Sequence, residues 1–454
     1  MLDALRLSQI ADTLNGQIHG LDASFGAVST DSRTLCAGSL FVALRGERFD
    51  GHAYLAQVAA QGAAAALVDT IDSQVNLPQL HVADTRIALG LLGQINRRQF
   101  SGPVLAVTGS SGKTTVKEML AAILSQHGAV LATRGNLNND LGAPLTLLSI
   151  APEHKHAVIE LGANHVGEIA YTVALAEPHI SIITNAGTAH VGEFGGPEKI
   201  VQAKGEIIDG LAATGVAVLN ADDAAYAQWV ARAAGRKVLS FSMNGKPADF
   251  TAQGLSQDAR GCPQFELVCA AGRQAIQLQL LGLHNVANAL AAAAACSELG
   301  FSLAEIASGL ASLAPVRGRG VITLGHGDVR LIDDTYNANP VAVKAAIDTL
   351  RQFSGRKVLV LGDMGELGQW AQASHHEVGA YAKGKVDALY AVGPMMAYAV
   401  KAFGQHGRHF ADQAALIKAL AEETNKETTI LLKGSRSAAM DKVVLALGGA
   451  GEAH

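Results

Sequence analysis

The feature that most constrains this chain is the glycine-rich segment at residues 108–115, which reads Thr-Gly-Ser-Ser-Gly-Lys-Thr-Thr. An apolar run at 103–107 predicts a buried strand before it, and apolar residues at helical spacing over 116–124 predict a helix after it. This order is typical of a site for nucleotide phosphates, because the backbone N–H groups and the helix N-terminus both face the anion. We therefore expect Lys113 to contact the β- and γ-phosphates and the Thr114 hydroxyl to bind Mg²⁺.

This loop is shorter than the common phosphate-binding pattern, which has four residues between its first glycine and Gly-Lys. Here only Ser110 and Ser111 separate Gly109 from Gly112, and Val107 stands where the first glycine would fall. An ordinary glycine-serine turn before a lysine-bearing helix is therefore the alternative. The predicted strand and helix on either side favour the phosphate loop.

The composition favours several closely packed α/β layers. The chain has 454 residues, enough for about three domains of ~150 residues, and it is 49% apolar but only 5% aromatic. Its net charge of −5 is spread over interspersed charges, so no basic patch indicates nucleic acid and no basic amphipathic stretch indicates a membrane surface. The sequence shows no signal-peptide pattern and no membrane-spanning apolar run, and we expect a cytoplasmic protein.

The cysteines and histidines give no sign of a disulfide framework or a zinc site. Cys36, Cys262, Cys269 and Cys296 are far apart in the sequence and form no C-x-x-C pair, so we expect buried free thiols in a reducing compartment. The 16 histidines lack the spacing of a structural zinc site.

Glycine and proline divide the chain into three predicted domains. Ser-Gly-Pro at 101–103 separates residues 1–101 from 102–314, and a Pro-Val-Arg-Gly-Arg-Gly string begins the third unit at 315–454. In the second unit, short apolar runs alternate with helical stretches, which predicts a mostly parallel, doubly wound sheet, with an antiparallel hairpin around Gly272. The third unit resumes the α/β alternation without another Gly-Lys-Thr loop, like a small nucleotide-fold domain.

The first unit is predicted to begin with a helix at 5–14, followed by strands at 28–32, 39–44 and 64–68 and a helix at 54–61. Two of its loops carry both charges and glycine or serine, at residues 29–33 and 46–52. Such loops can bind a phosphorylated or sugar ligand, but taken alone each is better explained as a salt-bridged surface turn.

Polar side chains follow two predicted strands of the second unit, at the sheet edge where open α/β sheets bind ligands. Glu160 ends the run at 158–160, where a carboxylate can hold Mg²⁺, and a helix-capping role is the alternative. His190 follows the strand at 180–185 and can bind a second Mg²⁺ or a phosphate, or instead cap a backbone carbonyl.

Asparagines are concentrated in two places. Residues 134–140 read Arg-Gly-Asn-Leu-Asn-Asn-Asp, and these side chains can cap a helix or donate hydrogen bonds to a transferring phosphoryl group. Asn285 and Asn288 share one face at the start of an alanine-rich helix. Two amides on one face can bind a purine, whereas N-capping explains only one of them.

Two strand ends of the third unit carry charged residues. Asp333 and Asp334 can hold a ribose or cap the next helix. Residues 433–437, Lys-Gly-Ser-Arg-Ser, place positive charge and hydrogen-bond donors at a predicted helix start, which suits a substrate carboxylate. A solvated basic turn is the alternative for that segment.

Taken in order, these strings resemble the Mur ligase family of ATP-dependent ligases in peptidoglycan synthesis, over essentially the whole chain. One such string is weak evidence, but ten in order are specific, and the short glycine loop is the family's own form. The strings are T-G-S-S-G-K-T-T, G-N-L-N-N-D-L-G-A-P-L-T, I-E-L-G, N-A-G-T-A-H, A-K-G-E-I, G-L-H-N-V-A-N-A-L, P-V-R-G-R-G, I-D-D-T-Y-N-A-N-P, L-G-D-M-G-E-L-G and K-G-S-R-S.

The resemblance implies an α/β fold of three domains: an N-terminal UDP-binding domain, a central P-loop ATPase-like parallel-sheet domain and a C-terminal Rossmann-like domain. It also implies roles for the matched positions. ATP would be bound by Gly109, Ser110, Ser111, Gly112, Lys113, Thr114, Thr115, Asn136 (transferring phosphoryl group), Asn285 and Asn288 (adenine), Arg319 (phosphates) and Asp334 (ribose). Two Mg²⁺ ions would involve Thr114, Glu160, His190 and Lys204, the last matching a lysine that many Mur ligases carbamylate.

The resemblance also implies two regions for the substrates. The UDP end would lie on the first domain, at Asp31, Ser32, Arg33, Gly46, Asp50 and Gly51. The incoming dipeptide would be placed by Tyr336, Asn337, Lys433, Ser435 and Arg436. Because the substrate parts come from different domains, we expect the domains to close over them.

Two strings, D-D-T-Y-N-A-N-P and L-G-D-M-G-E-L-G, resemble the branch of the family that adds D-Ala-D-Ala to a UDP-N-acetylmuramoyl (UDP-MurNAc) tripeptide through an acyl phosphate and a tetrahedral intermediate. The implied setting is cytoplasmic cell-wall synthesis, which supports cell shape and division, and the implied state is a monomer. The chain lacks the Asp-Asn-Pro-Arg run of the branch that adds the third amino acid.

Other functions remain as alternatives. These are the ligase that adds the third amino acid, a folate-polyglutamate-type ligase, a nucleotide switch and a non-catalytic scaffold. The folate type does not explain the first unit, and a guanine-nucleotide switch should carry an N-K-x-D string that is absent here.

Overall fold

A computed structural model of the protein describes residues 1–448 and places one main β-sheet in each of three consecutive domains. In the first domain the five-stranded sheet has the order β2-β9-β8-β5-β4, parallel except for β2 with β9. Two short ribbons, β1 with β3 and β6 with β7, flank it. The elements are β1 (Leu5–Arg6), α1 (Leu7–Ala11), β2 (Gln17–His19), β3 (Ser24–Phe25), β4 (Ala27–Ser29), β5 (Ser39–Val42), β6 (Arg45–Gly46), β7 (Phe49–Asp50), α2 (Leu55–Ala60), β8 (Ala65–Val68), β9 (Gln79–His81) and α3 (Thr85–Gln99).

The second domain contains a nine-stranded sheet of order β11-β12-β10-β13-β14-β15-β16-β17-β18. The pairs from β11 to β16 are parallel, as the alternation of strands and helices predicts, and β17 and β18 form the antiparallel hairpin. Its elements are β10 (Val104–Thr108), α4 (Lys113–Leu124), β11 (Ala129–Ala132), α5 (Gly142–Leu148), β12 (His154–Glu160), α6 (Glu168–Ala176), β13 (Ile180–Ile183), α7 (Val191–Phe194), α8 (Pro197–Asp209), β14 (Val216–Asn220), α9 (Tyr226–Arg232), β15 (Lys237–Ser242), β16 (Phe250–Gln257), β17 (Pro263–Cys269), β18 (Gly272–Gln277), α10 (His284–Glu298) and α11 (Leu303–Ser312).

The third domain contains a six-stranded sheet of order β19-β20-β24-β21-β22-β23, in which only β19 with β20 is antiparallel. Its elements are β19 (Val321–Leu324), β20 (Arg330–Asp333), α12 (Pro340–Arg351), β21 (Arg356–Gly362), α13 (Ala371–Ala382), β22 (Ala388–Val392), α14 (Met396–Phe403), β23 (Gly407–Phe410), α15 (Gln413–Leu420), β24 (Thr428–Lys433) and α16 (Asp441–Ala446). Among residues 1–448, no helix combines the length and apolar character that crossing a membrane requires.

Small residues let the helices of the second domain approach one another closely. Six alanines of α10, at position 289 and positions 291–295, are buried within one core with α4 and the sheet. A Cβ on Gly309 of α11 would lie 2.6 Å from the Cα of Ile123 in α4, so only glycine permits that contact. The alanine and glycine content noted in the sequence therefore corresponds to tight helix packing rather than to a large aromatic core.

The second and third domains share a hydrophobic core and meet backbone to backbone. Phe194 and Ile200 of the second domain pack with Met364 and Leu367 of the third. A Cβ on Gly192 would lie 2.4 Å from the backbone nitrogen of Gly368. This contact holds the carboxyl edges of the two large sheets beside each other, where the site lies.

Two local predictions are wrong. The predicted helix at 5–14 is helical only at Leu7–Ala11, because Leu5 and Arg6 pair as a strand with β3. The prediction of buried thiols holds for Cys262 and Cys296, but Cys36 is exposed and Cys269 is partly exposed, and all four are free. Cys36 is exposed because it lies in a turn before β5, outside the sheet.

Candidate active site

A cleft of about 1050 Å³ lies between the second and third domains. Within the described residues 1–448, every residue that lines this cleft lies at position 110 or later, so the first domain contributes none of the lining. Most of the predicted site residues meet here: Ser110, Ser111, Gly112, Lys113, Thr114, Thr115, Asn136, Glu160, His190, Asn285, Asn288, Arg319, Asp334, Tyr336, Asn337, Lys433, Ser435 and Arg436. Those it does not bring to the lining are Gly109, Lys204 and the first-domain set Asp31, Ser32, Arg33, Gly46, Asp50 and Gly51.

The glycine loop has a backbone that only glycine accommodates. Gly109 and Gly112 have φ values of +147° and +83°, and a Cβ on them would lie 1.9 Å from Thr184 Oγ1 and 2.4 Å from Asn288 Oδ1. Helix α4 begins after Gly112 with no side chain capping its first N–H groups, so they remain available to an anion. The cradle therefore fits a chain of phosphates.

Lys113 lies at the centre of this cradle. Its Nζ folds back and donates a hydrogen bond to the carbonyl of Gly109 at 2.8 Å. Burial lowers the pKa of Lys113; the nearby Glu160 carboxylate opposes this shift, and the positive charge of Arg319 adds to it. A bound polyphosphate would favour the charged form of this lysine, because the phosphate oxygens are negative.

Glu160 is held by hydrogen bonds from both sides. Its carboxylate accepts one from the Thr114 hydroxyl at 2.9 Å and one from the Asn138 amide at 2.8 Å. Its own N–H donates to Thr133 Oγ1 at 2.9 Å, which fixes the end of β12. Asn138 lies in the asparagine-rich segment, for which the sequence predicted helix capping or hydrogen bonds to a phosphoryl group rather than a contact with Glu160.

Arg319 is a residue of the third domain that contacts the phosphate loop of the second. Its guanidinium carbon lies 4.2 Å from the centre of the Tyr336 ring, and Nη2 donates to Thr114 Oγ1 at 3.0 Å. Stacking on the ring restricts the planar guanidinium, so its donors face the cleft in a defined direction. The arginine thus approaches the position that the glycine cradle offers to phosphates.

His190 and Glu366 contact each other across the interface between the second and third domains. His190 Nδ1 touches the Glu366 carboxylate, and both residues have left-handed backbones, with φ of 59° and 62°. The hydrogen bond from His190 lowers the pKa of Glu366. The N–H of Gly192 also donates to the Glu366 carbonyl at 3.1 Å. Sequence reasoning missed Glu366, although it lies in the L-G-D-M-G-E-L-G string.

The acidic and hydroxyl side chains of the cleft supply only part of a coordination shell for Mg²⁺, and phosphate oxygens would supply further ligands. Within the described part of the chain, no three His, Cys, Asp or Glu side chains come together as a metal site. Mg²⁺ commonly takes only one or two carboxylates and completes its shell with phosphate oxygens and water. The adjoining Thr114 hydroxyl and Glu160 carboxylate have the chemistry of such a partial shell.

Lys204 lies behind the cleft wall on α8, where its side chain is 1% exposed. Its Nζ lies 5.1 Å from the centre of the Phe194 ring. Burial, followed by the charge of Lys113, lowers the pKa of Lys204 to about 7, against the opposing effects of Glu168 and Glu206. The lysine therefore has a substantial neutral-amine population near neutral pH, which an exposed lysine lacks.

The two asparagines of α10 contact each other, as their spacing predicts. Asn288 Nδ2 donates to Asn285 Oδ1 at 2.9 Å, and Asn285 Nδ2 donates to the carbonyl of Leu281 at 2.7 Å. Each side chain is 6% exposed. His284, which sequence reasoning missed, lines the cleft at the start of this helix.

The charged residues of the third domain are partly paired with each other. Lys433 Nζ forms an ion pair with Asp334 at 2.6 Å. Asp333 instead accepts a hydrogen bond from Thr335 Oγ1 at 2.6 Å, which gives it a local structural role. Ser435 Oγ donates to the carbonyl of Asp363 at 2.6 Å, and Arg436 is exposed at the cleft. The segment 433–437 therefore combines a fixed beginning with an exposed arginine.

The predicted substrate loops of the first domain form their own ion pairs. Arg33 Nη2 lies 2.7 Å from Asp31 Oδ2. The hydrogen bonds that the Arg33 side chain and backbone donate to this carboxylate lower the pKa of Asp31 to about 2. Asp50 contacts Arg45 and His52, and a Cβ on Gly51 would lie 2.8 Å from the nitrogen of Leu44. These contacts match the salt-bridged turn that the residues alone favoured.

The chain is similar to Mur ligases along its length. Three family models match it: Mur ligase family, catalytic domain, at residues 24–95; Mur ligase middle domain at 107–296; and Mur ligase, glutamate ligase domain, at 318–436. The UDP-N-acetylmuramoyl-tripeptide–D-alanyl-D-alanine ligase of Escherichia coli K12 is 47% identical over 450 residues, which are 98% of each chain. The enzyme of that name from Bacillus subtilis is 34% identical over 92% of each chain.

Solved structures agree with these sequence relatives. A crystal structure of MurF from Acinetobacter baumannii superposes with a TM-score of 0.93 at 39% identity, covering 98% of this chain and 99% of that one. The MurF ligase from Thermotoga maritima in complex with ADP gives a TM-score of 0.85 at 29% identity, covering 93% and 96%. The sequence strings, the three-sheet fold and the cleft all agree with these matches, and the chain belongs to the Mur ligase family.

Proposed function

We propose that this chain is the ligase that joins D-Ala-D-Ala to UDP-MurNAc-tripeptide with hydrolysis of ATP, giving UDP-MurNAc-pentapeptide, ADP and phosphate. The observation that carries this conclusion is the 47% identity to a D-Ala-D-Ala ligase over 98% of both chains. The glycine cradle and the residues around it supply the ATP-binding geometry that such a ligase needs. The chain therefore acts in the synthesis of the peptidoglycan precursor.

The reaction needs ATP because a carboxylate is a poor electrophile. The terminal carboxylate of the tripeptide attacks the γ-phosphorus, and the bond to ADP breaks, which leaves an acyl phosphate. The amine of D-Ala-D-Ala then attacks the acyl carbon and forms a tetrahedral intermediate. This intermediate loses inorganic phosphate as the amide forms and the amine releases a proton. The protein contributes mainly positioning and charge stabilisation in the first step.

Residues of the second domain would hold the reacting phosphates. We assign Lys113 and the loop N–H groups to the β- and γ-phosphates, and Asn136 to the transferring group. Thr114 and Glu160 would hold Mg²⁺, which, when bound, neutralises phosphate charge. His190 is the candidate ligand of a second ion. Support comes from their convergence on one cleft.

Lys204 has the environment that carbamylation requires. The reaction consumes a neutral amine and CO₂, forms an N–C bond and releases a proton, so a pKa of about 7 favours it over an ordinary lysine. The product is a carboxylate in place of an amine. We infer that this carboxylate would support the second Mg²⁺ from behind the cleft wall.

The remaining assignments follow the position of each group in the cleft. Adenine would lie against Asn285 and Asn288, with Phe241 and Met243 on the same lining. Arg319 would contact the phosphates and Asp334 the ribose. Tyr336, Asn337 and the segment 433–436 would place the carboxylate end of D-Ala-D-Ala, since the exposed Arg436 guanidinium is a bidentate donor.

We assign the UDP end of the substrate to the first domain, through residues 31–33 and the loop 46–51. Domain limits at 1–101, 102–314 and 315–454 keep each main sheet within one domain. Because the first-domain loops lie outside the cleft lining, catalysis would require this domain to approach the other two. A monomer in the cytoplasm, where UDP-linked precursors and ATP are available, is the setting we propose.

The decisive experiment is phosphate release with ATP, Mg²⁺ and UDP-MurNAc-tripeptide, comparing D-Ala-D-Ala, D-Ala and diaminopimelate as acceptors. We expect turnover with the dipeptide only, and a product heavier by one dipeptide less water. Turnover with diaminopimelate and a UDP-linked dipeptide would instead assign the preceding step. Phosphate release that needs no carboxylate substrate would reject the ligase assignment.

A further inference from the structure

A continuous set of contacts joins the first domain to the phosphate loop of the second. We propose that Thr85, Arg86, Asp140 and Asn138 are positioning residues that couple binding of the UDP-linked substrate to the orientation of the Glu160 carboxylate. The proposal rests on the proposed function in one respect, since it assigns the UDP end of the substrate to the first domain.

The first link ties the candidate substrate loop to helix α3. Gly51 N–H donates to the carbonyl of Leu44 at 2.8 Å, which closes the loop at its base. The neighbouring residue, Ala43, accepts a hydrogen bond from Thr85 Oγ1 at 2.9 Å, in a buried position. Thr85 is the first residue of α3, so a displacement of the loop base is transmitted to the helix start.

The second link carries α3 across the domain interface. Arg86, the next residue of the helix, forms an ion pair with Asp140 of the second domain. Further along, α3 packs tightly on α5, where a Cβ on Gly93 would lie 3.0 Å from the Cα of Pro144. The middle of α3 is held against α5 by this contact. A tilt of the first domain therefore pivots the helix at that point and moves its N-terminal end, which carries Arg86.

The third link connects Asp140 to Glu160 through the three-residue segment 138–140, because Asn138 in this segment contacts the Glu160 carboxylate. Asn139 Oδ1 accepts a hydrogen bond from the N–H of Gly142 at 2.8 Å, which anchors the segment to α5. The carbonyl of Asn138 accepts the N–H of Gly162 at 2.8 Å, and its side-chain amide donates to Glu160 Oε1 at 2.8 Å. The other carboxylate oxygen of Glu160 takes the Thr114 hydroxyl, so Asn138 and the phosphate loop share one carboxylate.

A second ion pair from the same helix supplies a matched control. Arg98, also on α3, pairs with Glu177 of the second domain at 2.6 Å, with similar exposure to the Arg86 pair. Glu177 lies at the end of α6, away from the segment 138–140. Arg98→Ala therefore weakens the same interface without disturbing the contacts that reach Glu160.

The test measures thermodynamic coupling with the full-length protein. Calorimetry gives the Kd of a non-hydrolysable ATP analogue with Mg²⁺, in the absence and presence of saturating UDP-MurNAc-tripeptide, and the ratio of the two values is the coupling factor. We expect a factor of about 5 or more in the native chain. The coupling factor should approach about 1 in Arg86→Ala, Asp140→Ala and Thr85→Val. It should recover in part in the charge-swapped double variant R86D/D140R. In the control variant Arg98→Ala, the coupling factor should equal that of the native chain.

Asn138→Ala should show the same loss of coupling and also a lower kcat, because it touches Glu160 directly. Circular dichroism confirms that each variant is folded, and the separate single variants at positions 85, 86 and 140 test the same contacts independently. A native coupling factor of 1, an unchanged factor in the folded Arg86 and Asp140 variants, or an equal loss in Arg98→Ala would each overturn the proposal. Ligation of D-Ala-D-Ala by the native chain is assayed separately, so failure of the proposed function remains distinguishable.

Discussion

The cleft between the second and third domains differs sharply from the substrate loops of the first. In the cleft, residues distant in sequence interlock: Arg319 donates to Thr114, and Thr114 donates to Glu160. In the first domain, Arg33 pairs with Asp31, only two residues away, and its side chain is 83% exposed. Contacts between distant segments hold the cleft together, whereas the Arg33–Asp31 pair stays within one local turn.

This difference indicates that the cleft and the first domain have different tasks in the proposed reaction. Phosphate transfer depends on electrostatic groups held in fixed geometry, so preassembly of the cleft lowers the reorganisation needed during the reaction. In the function proposed above, the first domain instead binds the UDP end of a long substrate and brings it to that cleft.

Lys113→Ala should abolish turnover, lowering kcat by more than about a thousandfold, because the γ-phosphate loses its principal cation. The fold should remain, since Lys113 lies at the start of α4 and the buried face of that helix is unchanged. Phosphate release and thermal melting provide the two measurements. Near-normal ligation by this variant would remove Lys113 from the phosphate site.

Lys204→Met should lower kcat by about a hundredfold or more while stabilising the protein by about 1–3 kcal/mol at pH 7, because it removes a costly buried amine. A lysine with a folded-state pKa of about 7 binds fewer protons than the unfolded chain between that pH and its normal pKa of 10.5. In buffer depleted of CO₂, where Lys204 is a free amine, the free energy of unfolding of the native chain should therefore rise with pH across this window, and the variant should lose that rise.

The same titration predicts that native kcat falls as the pH is lowered through about 7, because protonated Lys204 cannot be carbamylated. Asp31, with a pKa of about 2, stays ionised from pH 6 to 8 and should contribute no change to the Kd of UDP-MurNAc-tripeptide in that range if the first domain binds it. Denaturant unfolding and pH–rate profiles measure these effects. Full activity of Lys204→Met would contradict a role for this residue.

Arg33→Ala should raise the KM for UDP-MurNAc-tripeptide about five- to tenfold and leave kcat nearly unchanged, because it removes binding that is equal in ground and transition states. Arg6→Ala is the control: it breaks another exposed ion pair of the same domain, with Asp22. Steady-state kinetics distinguish the two. Equal KM values in both variants would place the UDP site elsewhere.

Small-angle scattering should detect the smallest effect, a decrease in radius of gyration when the UDP-linked substrate and an ATP analogue are both bound. A compact chain of this length has a radius of about 22 Å, and the closed state should approach that value. Either ligand alone should produce less change. If the radius does not change with both ligands, large closure of the first domain does not occur.

The elements best predicted from sequence are those specified by local pattern. The predicted strands at 103–107 and 180–185 overlap β10 and β13, and the glycine loop leads into α4 as expected. A continuous apolar run between turn residues is nearly sufficient to specify a buried parallel strand. The spacing of Asn285 and Asn288 likewise predicted a shared face, and they form a hydrogen bond.

What the sequence did not reveal depends on distant partners. Asn138 lies 22 residues from Glu160, and Glu366 belongs to a different domain from His190. Neither pairing leaves a local pattern, because the contacts arise from the order of strands and the docking of domains. The strand at Leu5–Arg6 was missed for the same reason, since its amphipathic sequence suits a helix until β3 lies beside it.

The four free thiols give the chain a built-in site for a spectroscopic label. A water-soluble maleimide reaches the exposed Cys36, whereas Cys262 and Cys296 are shielded by the cores around them, and burial raises the pKa of both thiols. With the partly exposed Cys269 replaced by serine, a fluorophore would report from the first domain alone. The motion proposed for this domain can thus be followed in real time with a single substitution.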